Sequence, residues 1–284
     1  MKRVKPMKAS GLSIKPTVLK LGGSVITHKD KPLTANLTAI RRLAEEIAEA
    51  KIPQLIVVHG GGSFGHTMAK EYAIKEGFRG EASQLLGFTK THQAMITLNN
   101  LVLEALIQHN ISAMAIAPSS FIVSKSGRIA TMRYEPLKRL LDMGAVPLLY
   151  GDAILDFDKG FTILSGDQLV ASLAVHFGAK RIVVGIDEDG LFTADPKEHG
   201  RPDLIRKCTL RRLRKLRRQI KGTNACDVTG GMQGKIAELM PAIEEGIPTL
   251  IVNGTISRRI YKALKGEKVT GTLIQKNEGA KRHH

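Results

Sequence analysis

The 284-residue sequence predicts an α/β protein, a three-layer αβα sandwich around a mainly parallel sheet. Short apolar runs alternate with longer segments in which apolar residues recur at helical spacing. The runs are continuous instead of alternating with polar residues, which is typical of strands buried on both faces. Several runs end directly in glycine, which favours turns from a strand into a helix.

The first half of the chain carries most of the strand signals. Leucine and isoleucine at positions 37, 40, 43 and 47 form one helical stripe, and Lys-Ser-Gly and Asp-Lys-Gly sequences predict hairpin turns. The predicted elements are a strand at Thr17–Leu21, a helix from about Thr34, a strand at Leu55–Val58, a helix over Ser83–His109, a strand at Ala113–Ala117, a hairpin of Phe121–Ser124 with Arg128–Thr131, a strand at Val146–Tyr150, and a hairpin of Ile154–Leu155 with Phe161–Leu164.

The second half repeats the helix-then-strand rhythm. Its predicted elements are a helix ending near Phe177, a strand at Arg181–Val184, a basic helix around Thr209–Gln219, a helix from about Met232, a strand at Thr249–Val252 and an edge strand at Gly271–Gln275. Residues 1–16 form a basic tail, and residues 17–284 form a single domain with a lobe boundary near 165–180, within one continuous sheet.

Composition excludes several classes of protein. The two cysteines, Cys208 and Cys226, have no CxxC spacing, which excludes a disulfide scaffold and a cysteine-rich zinc site. No apolar run approaches the ~18 residues of a membrane span, and the N-terminus lacks the apolar stretch of a signal peptide. We therefore expect a soluble protein of a reducing compartment, the cytoplasm, without a membrane span.

The net charge of +17 is concentrated in two places. Residues 1–20 carry +6 and residues 201–221 carry +9, whereas residues 21–200 carry −1. The basic segment 201–221 contains no aromatic residue, which is poor material for stacking on bases. We expect a solvated basic helix and no nucleic-acid partner, with an RNA- or membrane-binding module as the alternative.

Two glycine loops follow predicted strands near the N-terminus, Gly22-Gly23-Ser24 and the loop from Gly60 to His66. Glycine lets backbone N–H groups crowd around an anion, and a helix N-terminus adds the positive end of its dipole. The second loop partly matches both the dinucleotide fingerprint and the Walker A loop, but His66 stands where a Walker A loop has lysine. The loops therefore predict phosphate binding, but not by the dinucleotide or the Walker A arrangement.

Three charged residues that lie close in sequence to glycines are candidates for the same phosphate site. Lys20 lies inside an apolar strand, where an ammonium group is costly unless an anion pairs with it. Lys235 follows a further glycine pair, Gly230-Gly231. Asp167 follows Ser165-Gly166, where it could also cap the next helix. His59 ends a buried strand, so we expect it to be structural.

These motifs occur in an order and spacing that resemble the amino acid kinase superfamily, over roughly residues 17–276. The motifs are Lys20-Leu-Gly-Gly-Ser24, His59-Gly-Gly-Gly62, Ser165-Gly166-Asp167, the loop from Asp187 to Pro196, Asp227-Val-Thr-Gly-Gly-Met232 with Lys235, and Gly271-Thr-Leu-Ile274. Within the superfamily, Gly-Gly-Ser-Phe-Gly-His66 together with Lys29 looks like the isopentenyl phosphate kinase family.

That resemblance implies ATP-dependent phosphorylation of isopentenyl phosphate to isopentenyl diphosphate in an alternative mevalonate pathway. It implies an acceptor lobe over 17–165, a nucleotide lobe over 166–276, Mg²⁺ with the ATP, and a homodimer. The implied catalytic residues are Lys20, Lys29, His66, Asp167 and Lys235. The implied acceptor-binding residues are Gly61, His66 and Gly166, and the implied ATP-binding residues are Lys20, Gly22, Gly23, Ser24, Gly62, Asp187, Gly231 and Lys235.

The acceptor is the least determined part of this interpretation. An isoprenoid monophosphate needs an apolar pocket, for which Phe78, Leu85, Phe88 and Met95 on or beside the long helix are candidates. A same-fold kinase acting on another phosphate or phosphonate acceptor is the main alternative.

Overall fold

The computed structural model describes residues 15–193, 203–221 and 230–277. The strands in these ranges are β1 (Thr17–Leu21), β2 (Leu55–His59), β3 (Ala113–Ala115), β4 (Ile122–Lys125), β5 (Arg128–Met132), β6 (Val146–Tyr150), β7 (Asp152–Asp156), β8 (Gly160–Leu164), β9 (Arg181–Ile186), β10 (Lys207–Thr209), β11 (Thr249–Asn253) and β12 (Gly271–Gln275). The helices are α1 (Gly23–Ile26), α2 (Leu37–Ala50), α3 (Gly62–Glu71), α4 (Ala82–Gln108), α5 (Glu135–Asp142), α6 (Gly166–His176), α7 (Leu210–Lys221), α8 (Gly230–Glu244) and α9 (Arg259–Lys265).

Eight of these strands form one sheet in the order β10-β12-β11-β9-β1-β2-β6-β3. All neighbouring pairs are parallel except β11 with β12. The predicted strand at Gly271–Gln275 is present as β12, but its predicted position at the sheet edge is wrong, because β10 pairs with its outer side. The three-residue β10 has no apolar run that would reveal it.

The layers are set by alternation of side chains along the central strands. On β1, Val18 packs into the core on the side of α6 and α8, whereas Leu19 packs into the core on the side of α2, α4 and α9. Both cores are dominated by leucine, isoleucine and valine. This arrangement confirms the three-layer αβα architecture.

The two predicted hairpins form a second sheet of their own, in the order β5-β4-β7-β8. The eight-stranded sheet is continuous across the predicted lobe boundary near 165–180, as expected, and the two hairpins lie outside it. Asp156 pins this small sheet, because its carboxylate accepts hydrogen bonds from the Ser124 hydroxyl (2.7 Å) and from four backbone N–H groups between residues 126 and 159. Gln168 on α6 then anchors the β4–β5 hairpin to that helix, because its side chain accepts a hydrogen bond from Ile129 N (2.8 Å) and donates one to Gly127 O (3.2 Å).

The basic helix is present as α7, close to its predicted bounds. Leu210 and Leu213 are buried, and the side chains of residues 211, 212, 214 and 215 are exposed. Arg214 pairs with Glu244 on α8 at 2.7 Å. The described part of the helix thus presents a solvated basic face and packs its apolar side onto the domain. Among the described helices, none is long and apolar enough to cross a membrane.

Candidate active site

The candidate site lies at the carboxyl edge of the parallel sheet, where β1, β2, β6 and β9 all end. In open α/β sheets, ligands bind at this edge. The Gly22-Gly23 loop follows β1 and the Gly60–Gly62 loop follows β2. Helix α6 begins at the same edge after β8, with Ser165 as its N-cap. The fold therefore brings together segments that the sequence separates by more than 140 residues.

The two glycine loops pack backbone against backbone. A Cβ on Gly23 would lie 2.1 Å from the Gly62 nitrogen, and a Cβ on Gly60 would lie 2.8 Å from the Gly23 nitrogen. Gly62 also has a φ of +49°, which a side chain would strain. Helices α1 and α3 start at Gly23 and Gly62, so two N-termini lie side by side. The loops need glycine for this contact as well as for any phosphate they bind.

Lys20 and Asp167 form a buried ion pair at the start of α6. The side chains are 4% and 8% exposed, and the Lys20 ammonium donates directly to Oδ1 of Asp167. Lys235, on α8, places its Nζ 3.8 Å from Asp167 Oδ2 and is 31% exposed. One carboxylate thus orients two ammonium groups, and only one of them faces solvent.

The electrostatics of this cluster favour an incoming anion. Burial lowers the pKa of Lys20, Asp167 opposes that shift, and the positive charge of Lys235 adds to it. Two lysines beside one aspartate leave the cluster with an excess positive charge. A phosphate group placed there would remove the repulsion between the two ammonium groups.

His66 lies in the second turn of α3, within reach of the same cations. The residue is exposed overall. Nevertheless, partial desolvation lowers the pKa of its imidazole, and the charges of Lys235 and Lys20 lower it further. The side chain is therefore neutral near pH 7, with one N–H available as a donor. The helix begins at Gly62, so His66 is inside the helix and does not end the loop as the sequence suggested.

Lys29 belongs to a second cluster, not to that of Lys20. Its ammonium pairs with Asp187, which follows β9, and the Ser24 hydroxyl donates to the same carboxylate at 2.7 Å. Partial burial raises the pKa of Asp187, but these two hydrogen bonds, a further one from its own backbone N–H and the charge of Lys29 together hold the pKa below its usual value. The Lys29 side chain is 61% exposed. The structure thus joins Ser24, Lys29 and Asp187, which the sequence only nominated separately.

The remaining predicted residues lie at the same edge. Gly22 donates its N–H to Gly185 O at 2.8 Å, and Gly61 caps α3. A Cβ on Gly166 would sit 3.3 Å from His59 O and 3.7 Å from Lys20 Cε. Gly231 is in the first turn of α8. The predicted motif residues 194–196 and 227–229 lie outside the described residues.

His59 is structural, as the sequence predicted. It is fully buried, its ring stacks on Tyr150 with centroids 5.5 Å apart, and its nitrogens lie 3.1 Å from Gly60 O and 3.3 Å from Asn99 Oδ1. Burial lowers its pKa to about 4, so the ring is neutral at physiological pH.

Sequence reasoning missed two groups near this edge. Asp189 accepts hydrogen bonds from Arg259 and from Asn253 (3.1 Å), which ends β11. The signal was the Asn-Gly pair after a buried strand. His92 on α4 contacts Asp152 on β7, and no local pattern links those two residues.

The candidate pocket residues do not form one group. Phe88 stacks on Phe161 with centroids 4.8 Å apart, and Phe78 lies 5.6 Å from the same ring. Leu85 is 52% exposed. Met95 is buried, and its sulfur lies 3.0 Å from where a Cβ on Gly61 or Gly65 would stand. Phe161, on β8, was not among the candidates.

Comparison with known proteins identifies relatives over nearly the whole chain. The sequence matches the amino acid kinase family over residues 15–253. It is 39% identical to the isopentenyl phosphate kinase of Methanothermobacter thermautotrophicus over 263 residues, covering 90% of this chain and 98% of the relative. The corresponding enzyme of Methanocaldococcus jannaschii is 35% identical, with 92% and 99% covered.

Solved structures agree with these sequence relatives. A crystal structure of isopentenyl phosphate kinase superposes with a TM-score of 0.81 at 36% identity, covering 92% of this chain and all of that one. A product complex of the Thermoplasma acidophilum enzyme superposes with a TM-score of 0.75 at 28% identity, covering 91% and 99%. These matches confirm the resemblance and the fold that the sequence predicted.

Proposed function

The chain belongs to the isopentenyl phosphate kinases of the amino acid kinase family, and on that premise we propose that it phosphorylates isopentenyl phosphate with ATP. An oxygen of the acceptor phosphate forms a bond to the γ-phosphorus, and the bond from that phosphorus to the β–γ bridging oxygen breaks. The products are isopentenyl diphosphate and ADP. The observation that supports this most directly is the Lys20–Asp167–Lys235 cluster beside two packed glycine loops.

The role assigned to the lysines is to stabilise the negative charge that moves during phosphoryl transfer. Lys20 is held at the end of β1, and we assign it to the γ-phosphoryl group. Lys235 is assigned to the β/γ side, and Asp167 positions both ammonium groups. Phosphoryl transfer asks the protein for positioning and electrostatic stabilisation, with little covalent work. Lys29 is assigned to the transferred group; its pair with Asp187 sets where its ammonium group rests.

His66 is assigned to the acceptor phosphate as a hydrogen-bond donor. A phosphate monoester has a second pKa near ~6, so the attacking oxygen is already largely deprotonated at neutral pH. A general base is therefore unnecessary, and a neutral imidazole N–H can orient that oxygen. The lowered pKa of His66 agrees with this role. We assign Gly61 and Gly166 to the same phosphate.

The nucleotide is assigned to loops contributed by both lobes. Gly22, Gly23, Ser24 and Gly62 offer backbone or hydroxyl groups, and Gly231 and Asp187 lie at the adjoining helix and strand ends. Mg²⁺ bound with ATP would neutralise phosphate charge. We assign its coordination to phosphate oxygens and water, because Mg²⁺ usually keeps several waters and takes substrate phosphates as ligands.

A cytoplasmic homodimer, with an acceptor lobe at 17–165 and a nucleotide lobe at 166–276, is part of the proposal.

An acceptor panel with Mg-ATP tests the function. Isopentenyl phosphate, a nucleoside monophosphate, a small phosphonate and an amino-acid carboxylate are compared at equal concentration, with the phosphorylated product followed directly by ³¹P NMR. We expect the highest kcat/KM with isopentenyl phosphate. Preferential turnover of any other acceptor would overturn the assignment of the substrate while leaving the kinase chemistry.

A further inference from the structure

His92 on α4 is tied to a carboxylate that the proposed mechanism does not use. Its Nδ1 lies 2.9 and 3.1 Å from the two oxygens of Asp152, whose side chain is completely buried. Asp152 also accepts the N–H of Ala153 at 2.8 Å and that of Ser119 at 3.4 Å. The carboxylate is therefore immobile, and it fixes the plane and tautomer of the imidazole.

The position of His92 on α4 places it beside the proposed acceptor site. Residues four and three apart on a helix share a face, so Phe88, His92 and Met95 line one side of α4. Met95 abuts Gly61 and Gly65 in the loop and helix that carry His66. Phe88 stacks on Phe161 in the aromatic cluster. His92 thus lies between a phosphate-binding loop and an apolar cluster, where the two ends of an isoprenoid monophosphate would meet.

The other ring nitrogen of His92 is available. Among the described residues, Nε2 has no hydrogen-bond partner, and the side chain is 30% exposed. The hydrogen bond that His92 donates to Asp152 raises the pKa of its ring, whereas partial burial and the neighbouring cations lower the pKa of His66. The two histidines near the proposed acceptor site therefore differ in character: His66 is neutral, and His92 retains its proton to higher pH.

We propose that His92, held by Asp152, is an acceptor-binding residue whose Nε2–H donates to the phosphate end of the isoprenoid monophosphate. This inference rests on the proposed function and adds a specificity-determining residue to it. Because Asp152 holds the Nδ1 proton, Nε2 donates in the imidazolium form of the ring, which an anionic phosphate beside it would stabilise. A donor at the boundary between the polar and apolar ends favours acceptors that carry an anion at one end of a short apolar chain. It binds the acceptor equally in the ground state and the transition state, so it governs KM more than kcat.

Two amide substitutions test the roles of the two ring nitrogens of His92 one at a time. In His92→Asn, the amide nitrogen occupies the place of Nδ1, which keeps the contact with Asp152 and removes the Nε2 donor. In His92→Gln, the amide nitrogen reaches the place of Nε2, which keeps the donor and loses the contact. His92→Leu removes both. His109→Asn is the matched control, because it makes the same change about 25 Å further along the same helix.

The measurements are steady-state kinetics with isopentenyl phosphate and Mg-ATP, and calorimetric binding of isopentenyl phosphate without nucleotide. We expect His92→Asn to raise KM and Kd for the acceptor by about tenfold or more, as for a lost charge-assisted hydrogen bond, with kcat and the KM for ATP nearly unchanged. His92→Gln should bind the acceptor better than His92→Leu, and His109→Asn should match the wild type.

The outcomes are distinct. Wild-type KM and Kd in His92→Asn would show that the pair only braces α4 against β7, and would overturn the inference. Equal acceptor binding by the Gln and Leu variants would overturn it as well, even if the Asn variant failed to fold. If the wild type prefers a different phosphate acceptor, the substrate assignment fails first. The same variants are then measured with that acceptor, and an unchanged KM there overturns the inference separately.

Discussion

Removing the two charges of the buried Lys20–Asp167 pair one at a time should cost far more stability than removing them together. Lys20→Met keeps the length of the side chain but leaves Asp167 in the interior, with only the ammonium of Lys235 at 3.8 Å. Breaking a buried pair in this way typically costs about 3–5 kcal/mol. We expect the lower end of that range, because Lys235 partly compensates.

Asp167→Asn has a cost with a calculable upper limit. Lys20, 4% exposed, then has no anion and faces the charge of Lys235, so it can lose its proton instead of staying charged. Holding a lysine neutral at pH 7 against an ordinary pKa of 10.5 costs about 4.8 kcal/mol, at 1.36 kcal/mol per unit. The penalty of Asp167→Asn therefore cannot greatly exceed that value.

The double variant Lys20→Met with Asp167→Asn has neither uncompensated charge. Independent costs would sum to roughly 6–9 kcal/mol, but we expect the double variant within about 2 kcal/mol of the wild type, as for other buried pairs replaced whole. Urea unfolding at pH 7 without nucleotide measures all four proteins, provided that the m-value is constant. Lys29→Met is the control, because its exposed pair with Asp187 should contribute at most ~1 kcal/mol. Additive losses would refute the reasoning.

Four further outcomes are expected. His66→Ala should lower kcat/KM for the acceptor about a hundredfold, or 2–3 kcal/mol, with partial recovery in His66→Gln; wild-type turnover would exclude its role. His59 has a folded pKa of about 4, so the unfolded chain binds its proton more readily below pH 6.5, and stability should fall by about 3 kcal/mol between pH 6.5 and 4; His59→Gln should flatten that part of the urea-unfolding profile. Asp156→Ala leaves four backbone donors without their acceptor and should lower the free energy of unfolding by about 2–4 kcal/mol, whereas Asp156→Asn should lose less. Neutralising the exposed cations of α7 between residues 211 and 215 should leave kcat within about twofold at moderate salt; a collapse of kcat would place the helix in the site.

The central strands and long helices could be predicted, because burial of an element requires a recognisable spacing of apolar residues in the sequence. Continuous runs such as Leu55–Val58 can satisfy their environment only inside a sheet covered on both faces. Helices α1 and α3 could not be predicted in the same way. Each begins with glycine, a poor helix former, and each is held by the packing of one glycine loop on the other. Tertiary contact overrides propensity there.

The sequence nominated residues for the proposed site, but it could not predict which of them contact one another. A lysine inside an apolar strand indicates a buried anion, but the sequence does not show that this anion is Asp167, which lies 147 residues later in the first turn of α6. Lys29 and Ser24 were nominated for different tasks, yet both contact Asp187. His92 and Asp152 left no sequence signal, because a histidine on a helix and an aspartate after a strand are each ordinary.

In the proposed function, the glycine loops and the charge cluster suit this edge of the sheet to two phosphates instead of one. The contact between Gly23 and Gly62 brings the N-termini of α1 and α3 side by side, so the free backbone N–H groups of both helices lie around the same space. Asp167 neutralises only one of the two lysines, which leaves positive charge with no partner inside the cluster. Burial lowers the pKa of Lys20 and of His66, and the repulsion between positive charges lowers both further. In the proposed function, bound phosphates would remove that repulsion, so its relief would contribute to binding the anions whose charge moves in the reaction.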